Sequence, residues 1–443
     1  MASDTVFAQV VDAARAYGVA DVEAIVTSHN ESLTRFANNA IHQNVAERAG
    51  HLSVRALVDG RTARASTNRL DRQAIRDVVA QAIALSRASE PDADLLPLAE
   101  PAPYSQAVRW FESTARSTPG ERAEDVAQAI RVVERAGQTA AGIYSTGEAE
   151  FALFNSRGVE AHHRETMARF SITAMSTDSS GWAKASACDA SGLDPVALAR
   201  SAARKAALSR APRELAPGRY TVILEPAAVL DLVGQMFGDF SATAVRDGRS
   251  FLNDRIGKKI FGENITIFDD ALHPLQSGAA FDGEGVPRRR LVLVEGGVVR
   301  EIAYSRAAAA LDGAQPTGHG FPLPNEYGEA PVNVVIAGGE SSVDRMVESA
   351  ERAILVTRLW YIREVDPYEK VFTGMTRDGT FLVEGGAVTA GVRNFRFNQG
   401  LMEMLSNVEA LSTTVRASGE ETFDMVAPAM KVRDFRFSEV TRF

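Results

Sequence analysis

The stretch EPAAVLDLVGQMFGDFSATAVRDGRSFLNDRIGKK, Glu225 to Lys259, decides how the rest of the chain is read. Helical spacing places Val229, Leu232, Val233, Met236 and Phe237 on one apolar face. No His, Cys or Glu lies between Pro226 and Lys259, so this face can pack against a core but offers no ligand to zinc. The run Arg219–Leu224 directly ahead reads as a short buried strand that feeds the helix.

Beyond Lys259 helical periodicity largely vanishes. Two similar runs, LVEGGVV (Leu293–Val299) and LVEGGAV (Leu382–Val388), set Gly-Gly between β-branched residues, the chemistry of a two-residue hairpin turn. With strand-like runs at Pro331–Ala337 and Gly391–Phe397 they predict a largely antiparallel β region, with one substantial helix over Ser341–Ala353.

Upstream, Asp21–Ala65 alternates in three strand-like runs, and Leu70–Ala88 carries a helical period through Ile75, Val78, Val79, Ala82 and Ile83. Ser89–Tyr104 holds four prolines and reads as a surface connection. A helix is predicted over Pro119–Ala136, with acidic residues in its first turns. A meander follows over Glu148–Phe154, Gly158–Thr166 and Arg169–Ser176, then an Ala-rich helix over Pro195–Leu208. The fold class is α+β: an N-terminal antiparallel sheet with helices over residues 1–210, and a mainly antiparallel β domain over 211–443 with the apolar helix embedded in it.

At 443 residues, 45% hydrophobic and 24% charged, the chain has the composition of a folded globular protein. A net charge of −9 argues against a nucleic-acid partner. The one basic run, Arg288–Arg290, reads as a solvated hairpin end. Cys188 is the single cysteine, which excludes an intrachain disulfide and a Cys-based zinc cluster. The N-terminus reads as an amphipathic helix capped at Ser3 or Asp4 rather than a secretion signal, and no run spans a bilayer. A cytoplasmic protein is expected.

Candidate chemistry elsewhere is sparse. The seven histidines lack helical metal-ligand spacing. His162 and His163 are adjacent in a strand and point to opposite faces, and His29 and His42 are read as exposed strand residues. Asp282 and Glu284 in FDGEGV (Phe281–Val286) sit two apart between glycines, a turn geometry that serves backbone amides better than acid–base chemistry. Gly-x-Ser-x-Gly and the phosphate-loop pattern are absent. Cys188 has no nearby His in sequence and reads as a buried small residue. No metal site is expected on this chain.

The order of the pieces is more specific than any one of them. Strand and helix around Leu224 are followed by RDGRSFLNDRIGKKI (Arg246–Ile260), FDGEGV, PTGHG (Pro316–Gly320), PVNVVIAGG (Pro331–Gly339), GTFLVEGGAVTAGVRNFRF (Gly379–Phe397) and APAMKVRDF (Ala427–Phe435). This order resembles the TldD/TldE (PmbA) family of peptidase subunits, in detail over Gly218–Phe435 and by element order alone over residues 1–210. In catalytic TldD members a helix bearing His-Glu-x-x-x-His and a later Cys hold zinc. The matching positions here are Leu232, Val233 and Phe237 on the helix and Thr422 for the Cys, so the resemblance is to the TldE branch, which lacks the metal motif.

That resemblance implies a non-catalytic subunit with no cofactor of its own, paired as a heterodimer with a TldD-like catalytic subunit that carries the zinc and cleaves unfolded peptides. It also makes His319, in the PTGHG turn, a candidate peptide or partner contact, against the plainer reading of a turn residue bonding its own backbone. The alternative is a homodimeric peptide-binding or scaffold protein without peptidase activity, and a homodimer of the isolated chain is compatible with either. A third reading, an enzyme with a metal held by carboxylates, would require turnover that a chelator abolishes.

Overall fold

The computed structural model describes residues 3–441 and folds as three sheets with helices packed on and between them. The first sheet is six-stranded and wholly antiparallel, in the order β3-β2-β1-β4-β5-β6. Its strands are β1 (Asp21–Ala37), β2 (Ala40–Val58), β3 (Arg61–Thr67), β4 (Thr139–Asn155), β5 (Glu160–Met175) and β6 (Ser180–Ala187). Helices α1 (Ser3–Ala16), α2 (Arg72–Ala88), α3 (Glu112–Ala115), α4 (Pro119–Arg135) and α5 (Pro195–Leu208) complete this part. One sheet face carries Val22, Ala24, Val26, Leu52 and Val54 against α1 and α2, and Tyr144, Phe170 and Ile172 against α4 and α5. The period of two along each strand sends Ile25, Leu153 and Ala161 to the opposite face, where Phe281 of the C-terminal part meets them.

Caps explain several of these boundaries. Thr118 and Glu121 form a reciprocal capping box ahead of α4, and Asp71 accepts the amides of Gln73 and Ala74 at the start of α2. Three expectations need correction. Ser3 and Asp4 already lie inside α1, and the residue ahead of them is outside the described residues. The runs expected as separate strands at Gly158–Thr166 and Arg169–Ser176 are one continuous strand, because β5 pairs along its whole length with β4. Ser341–Ala353 is not one helix: only α9 (Val343–Glu348) is helical, and the chain enters a long strand at Arg352.

The remaining elements are β7 (Gly218–Leu224), α6 (Pro226–Val233), α7 (Ala242–Arg246), β8 (Ile267–Asp269), β9 (Leu291–Glu295), β10 (Val298–Val299), α8 (Arg306–Asp312), β11 (Val334–Ile336), α9, β12 (Arg352–Asp366), β13 (Val371–Glu384), β14 (Ala387–Gly391), β15 (Phe395–Gly400), α10 (Leu401–Ser406), β16 (Val408–Leu411), β17 (Val415–Ala417), β18 (Met425–Ala427) and β19 (Met430–Val440). They build two sheets, in the orders β10-β9-β8-β11-β18-β17 and β12-β7-β19-β15-β13-β14, with β16 also on β19 and with β12 also paired to β13, which closes the second sheet on itself. Pairing is antiparallel except β7 with β12 and β11 with β18. Both Gly-Gly runs are hairpin turns: Gly296 and Gly297 have φ of 55 and 79°, and Gly385 and Gly386 have 57 and 79°. One core spans both sheets and takes in α6, which explains why that helix is apolar apart from Asp231. No helix among the described residues is long and apolar enough to cross a membrane.

Candidate functional site

The α-helix that opens the Glu225–Lys259 stretch, α6, is short. It ends at Val233, and Gly234–Asp239 tightens into a 3₁₀ turn. Leu232, Val233 and Phe237 are all buried in the core between the two sheets. Thr422 lies in the loop between β17 and β18 and is brought against the helix, its hydroxyl donating to the Leu230 carbonyl at 3.2 Å. Gly234 permits this approach, since a Cβ there would fall 2.6 Å from the Thr422 Oγ1. Thr422 therefore meets the helix at Leu230 and Gly234, beside the buried Leu232, Val233 and Phe237, and three hydrocarbon side chains and one hydroxyl do not fit a zinc ion. Among the described residues no group of three His, Cys, Asp or Glu could hold a metal.

What cross-links helix and loop is Asp231, a residue that the apolar-face reading passed over. Its Oδ1 accepts the amides of Glu420 and Glu421 at 2.9 and 3.0 Å, while Oδ2 is buried without a hydrogen-bond partner. Burial pushes its pKa to about 6, against the pull of those two amides and the Arg358 charge. Gln235 adds a second tie by donating to the Asp231 and Glu421 carbonyls. Lys184 of β6 donates to the Gly419 carbonyl at 2.5 Å, so the first sheet also holds this loop. The clue in the sequence is one carboxylate inside an apolar helix, where only a partnered charge is tolerated.

A second buried polar cluster joins FDGEGV to PTGHG. Asp282 accepts the amides of Glu284, Val286 and Gly320, the turn-stabilising role expected of it. Glu284 accepts the Arg306 amide at 2.8 Å, and its Oε1 has no partner. Burial, then the nearby Asp282 charge, pushes its pKa up to about 8. His319 has a fully buried side chain, with Nδ1 2.9 Å from the Thr317 hydroxyl and Nε2 3.1 Å from Asp269 in a poorly aligned ion-pair contact. Burial alone would raise Asp269, but His319 and Arg288 hold it below the usual carboxylate range. His319 thus faces neither a cleft nor solvent, and a peptide or partner could reach it only if this turn opened.

The other flagged side chains do not assemble. His29 pairs in register with Ala49, not His42. His162 reaches Asp4 and His163 reaches Glu165. Burial raises the Cys188 thiol, which makes it a poor nucleophile. Arg288 departs from the solvated reading: one of its terminal nitrogens is buried, because the chain turns inward toward Asp269 and Asp282.

Three family models match in chain order: PmbA/TldA metallopeptidase domain 1 over residues 22–86, the central domain over 100–210 and the C-terminal domain over 217–439. The chain belongs to the PmbA/TldD metallopeptidase family. Its first two matched regions contribute strands to a single sheet. Among curated relatives, a metalloprotease of Methanothermobacter thermautotrophicus is 24% identical over 62% of each chain. The metalloprotease PmbA of Escherichia coli O157:H7 is 24% identical over 54% of this chain and 51% of its own. A metalloprotease TldD homolog of Buchnera aphidicola is 25% identical over 49% and 45%. The matches thus span about half to three-fifths of those relatives' lengths. In fold, TldE from Thermococcus kodakarensis superimposes with a TM-score of 0.88 at 20% identity, covering 98% of this chain and 100% of its own. A Thermotoga maritima protein named for modulation of a DNA gyrase gives 0.86 at 19%, covering 99% and 100%.

Proposed function

We propose that this chain is the metal-free, TldE-like subunit of a two-chain zinc metallopeptidase, paired with a TldD-like catalytic subunit that cleaves unfolded peptides. The observation that carries this reading is a helix whose Leu232, Val233 and Phe237 are hydrocarbon side chains packed into the core, closed at Leu230 and Gly234 by Thr422, with no group of metal donors among the described residues. An Asp231 carboxylate and a Thr422 hydroxyl cross-link helix and loop at that junction. A subunit built this way keeps the family's architecture while leaving the chemistry to a partner whose helix carries the ligands. Its role is then to complete the peptide chamber and stabilise the active subunit.

The test is native mass spectrometry of the complex captured from the source cell with this chain tagged, reading subunit composition and metal together. A heterodimer carrying zinc, with the metal lost when the second chain is removed, is the expected result. A zinc-bearing homodimer would overturn the reading, and a metal-free homodimer without a second protein would favour a peptide-binding scaffold.

A further inference from the structure

An open cleft of about 1110 Å³ lies where the β5–β6 turn approaches β12, β13 and the segment leading into β15. It exceeds the roughly 300–1,000 Å³ of a small-molecule pocket, so its size suits a length of chain. Arg377, Arg393 and Arg396 line it. Two carboxylates also line it, and both are already engaged. Asp378 is taken by the Arg358 guanidinium and by the Ser180 hydroxyl, leaving Arg377 at 3.6 Å from the same oxygen. Asp178 accepts the Ala211 amide. Arg393 has only the exposed Glu214 at 3.8 Å, and Arg396 makes no ion pair among the described residues. In a chain of net charge −9, three lining guanidiniums against one lining carboxylate not taken by Arg358, Asp178, are a local excess of positive charge.

One wall of the cleft is aromatic. The Trp360 ring lies under the Arg358 and Arg377 guanidiniums at 5.4 and 4.9 Å. Tyr361 is 51% exposed and sits at φ 57°, a conformation that a bulky side chain adopts only when its surroundings impose it. What imposes it is Glu421, whose carboxylate accepts the amides of Tyr361 and Ile362 at 2.8 and 3.3 Å. Glu421 is next to Thr422, so the loop clamped to α6 also presents this ring to the cleft.

We propose that the cleft holds an extended, carboxylate-rich peptide segment, with Arg377 and Arg396 pairing its acidic side chains and Trp360 and Tyr361 covering its chain. Guanidinium forks match carboxylates in bidentate geometry, and aromatic faces accept a peptide with little demand on sequence. A nucleic acid fits less well, because three arginines in an acidic molecule make no track for a phosphate backbone. The inference rests on the reading that this chain handles peptides, and it names the kind of peptide.

The test is fluorescence anisotropy with the full chain and unstructured 12-residue peptides bearing an uncharged dye, one Glu/Asp-rich and one its Lys/Arg counterpart. A single-stranded oligonucleotide serves as competitor. The acidic peptide should bind at least ten-fold more tightly than the basic one and weaken as salt rises. Its affinity should fall at least ten-fold in Arg377→Gln/Arg396→Gln. Tyr361→Gly should weaken binding without unfolding the chain, since glycine tolerates that φ, and the distant exposed Arg76→Gln should change nothing. Equal affinity for both peptides, no change in the arginine variants, or displacement by the oligonucleotide at lower concentration than by unlabelled acidic peptide would overturn the proposal. Failure is separable from that of the subunit reading. Capture of a catalytic partner without acidic preference sinks only the cleft, and acidic-peptide binding by a chain that captures no partner sinks only the heterodimer.

Discussion

Substituting Glu284→Gln should make the protein more stable, and increasingly so as pH rises. Glu284 is almost wholly buried against Gly320, where an added Cβ would collide with its Oε2, and it lies near the charges of Asp282 and Glu23. Its pKa rises from an ordinary 4.5 to about 8. A raised carboxylate pKa means that the folded state binds the proton more tightly than the unfolded one. Stability is therefore greatest below about 4.5 and falls as pH climbs through about 8. A tenfold change in proton affinity corresponds to about 1.4 kcal/mol, so Glu284 costs about 3 kcal/mol at pH 7 and about 5 kcal/mol at pH 9. Glutamine keeps the volume and an oxygen for the Arg306 amide but cannot ionise. Urea unfolding at pH 5, 7 and 9 is the assay. The variant should match the parent at pH 5 within about 1 kcal/mol and exceed it progressively above, with similar m-values. Any slope that Asp282 contributes remains in both proteins. Parallel stability curves across this range would refute the argument that Glu284 is desolvated and unpaired.

Three further outcomes follow from the same reasoning. Asp231→Ala should orphan the Glu420 and Glu421 amides and free the loop around Thr422, read as faster hydrogen exchange at those two amides and new proteolytic cleavage between residues 418 and 424; unchanged protection would show that Gln235 and Lys184 suffice. Gly234→Ala should cost about 1–3 kcal/mol by driving a methyl into the Thr422 side chain, and Thr422→Ala, which removes both γ-atoms it would meet, should recover part of that loss in a double-mutant cycle; additive losses would contradict the contact. Lys370→Met should cost about 3–5 kcal/mol, because Lys370 sits 2.5 Å from the mostly buried Asp239 and 2.6 Å from Glu364, and its removal leaves the Asp239 charge uncompensated; a loss below about 1 kcal/mol at pH 7 would refute that pairing.

Local rules made several elements legible. The capping box at Thr118 and Glu121, Pro195 at the start of α5 and the paired glycines at 296–297 and 385–386 each act within a few residues, so the sequence carries them in full. Boundaries failed where pairing overruled propensity. β5 runs unbroken because β4 supplies a partner at every step, and the helix expected after Ser341 stops at Glu348 because the chain must enter β12 between β7 and β13.

The sequence by itself determined that Leu232, Val233 and Phe237 on the helix after β7 carry no metal-donor atom, since the identity of a residue needs no fold to be read. Only the tertiary structure decided that Thr422, far along the chain, closes on that helix, and that Asp231 is what holds it there. It alone decided that His319 and Glu284 are sealed inside and that arginines from β13 and β15 meet the Tyr361 ring at one cleft. The physical reason is common to all of them: burial and pairing across distant segments set the charge, the access and the neighbours of a side chain, and no window of sequence contains those effects.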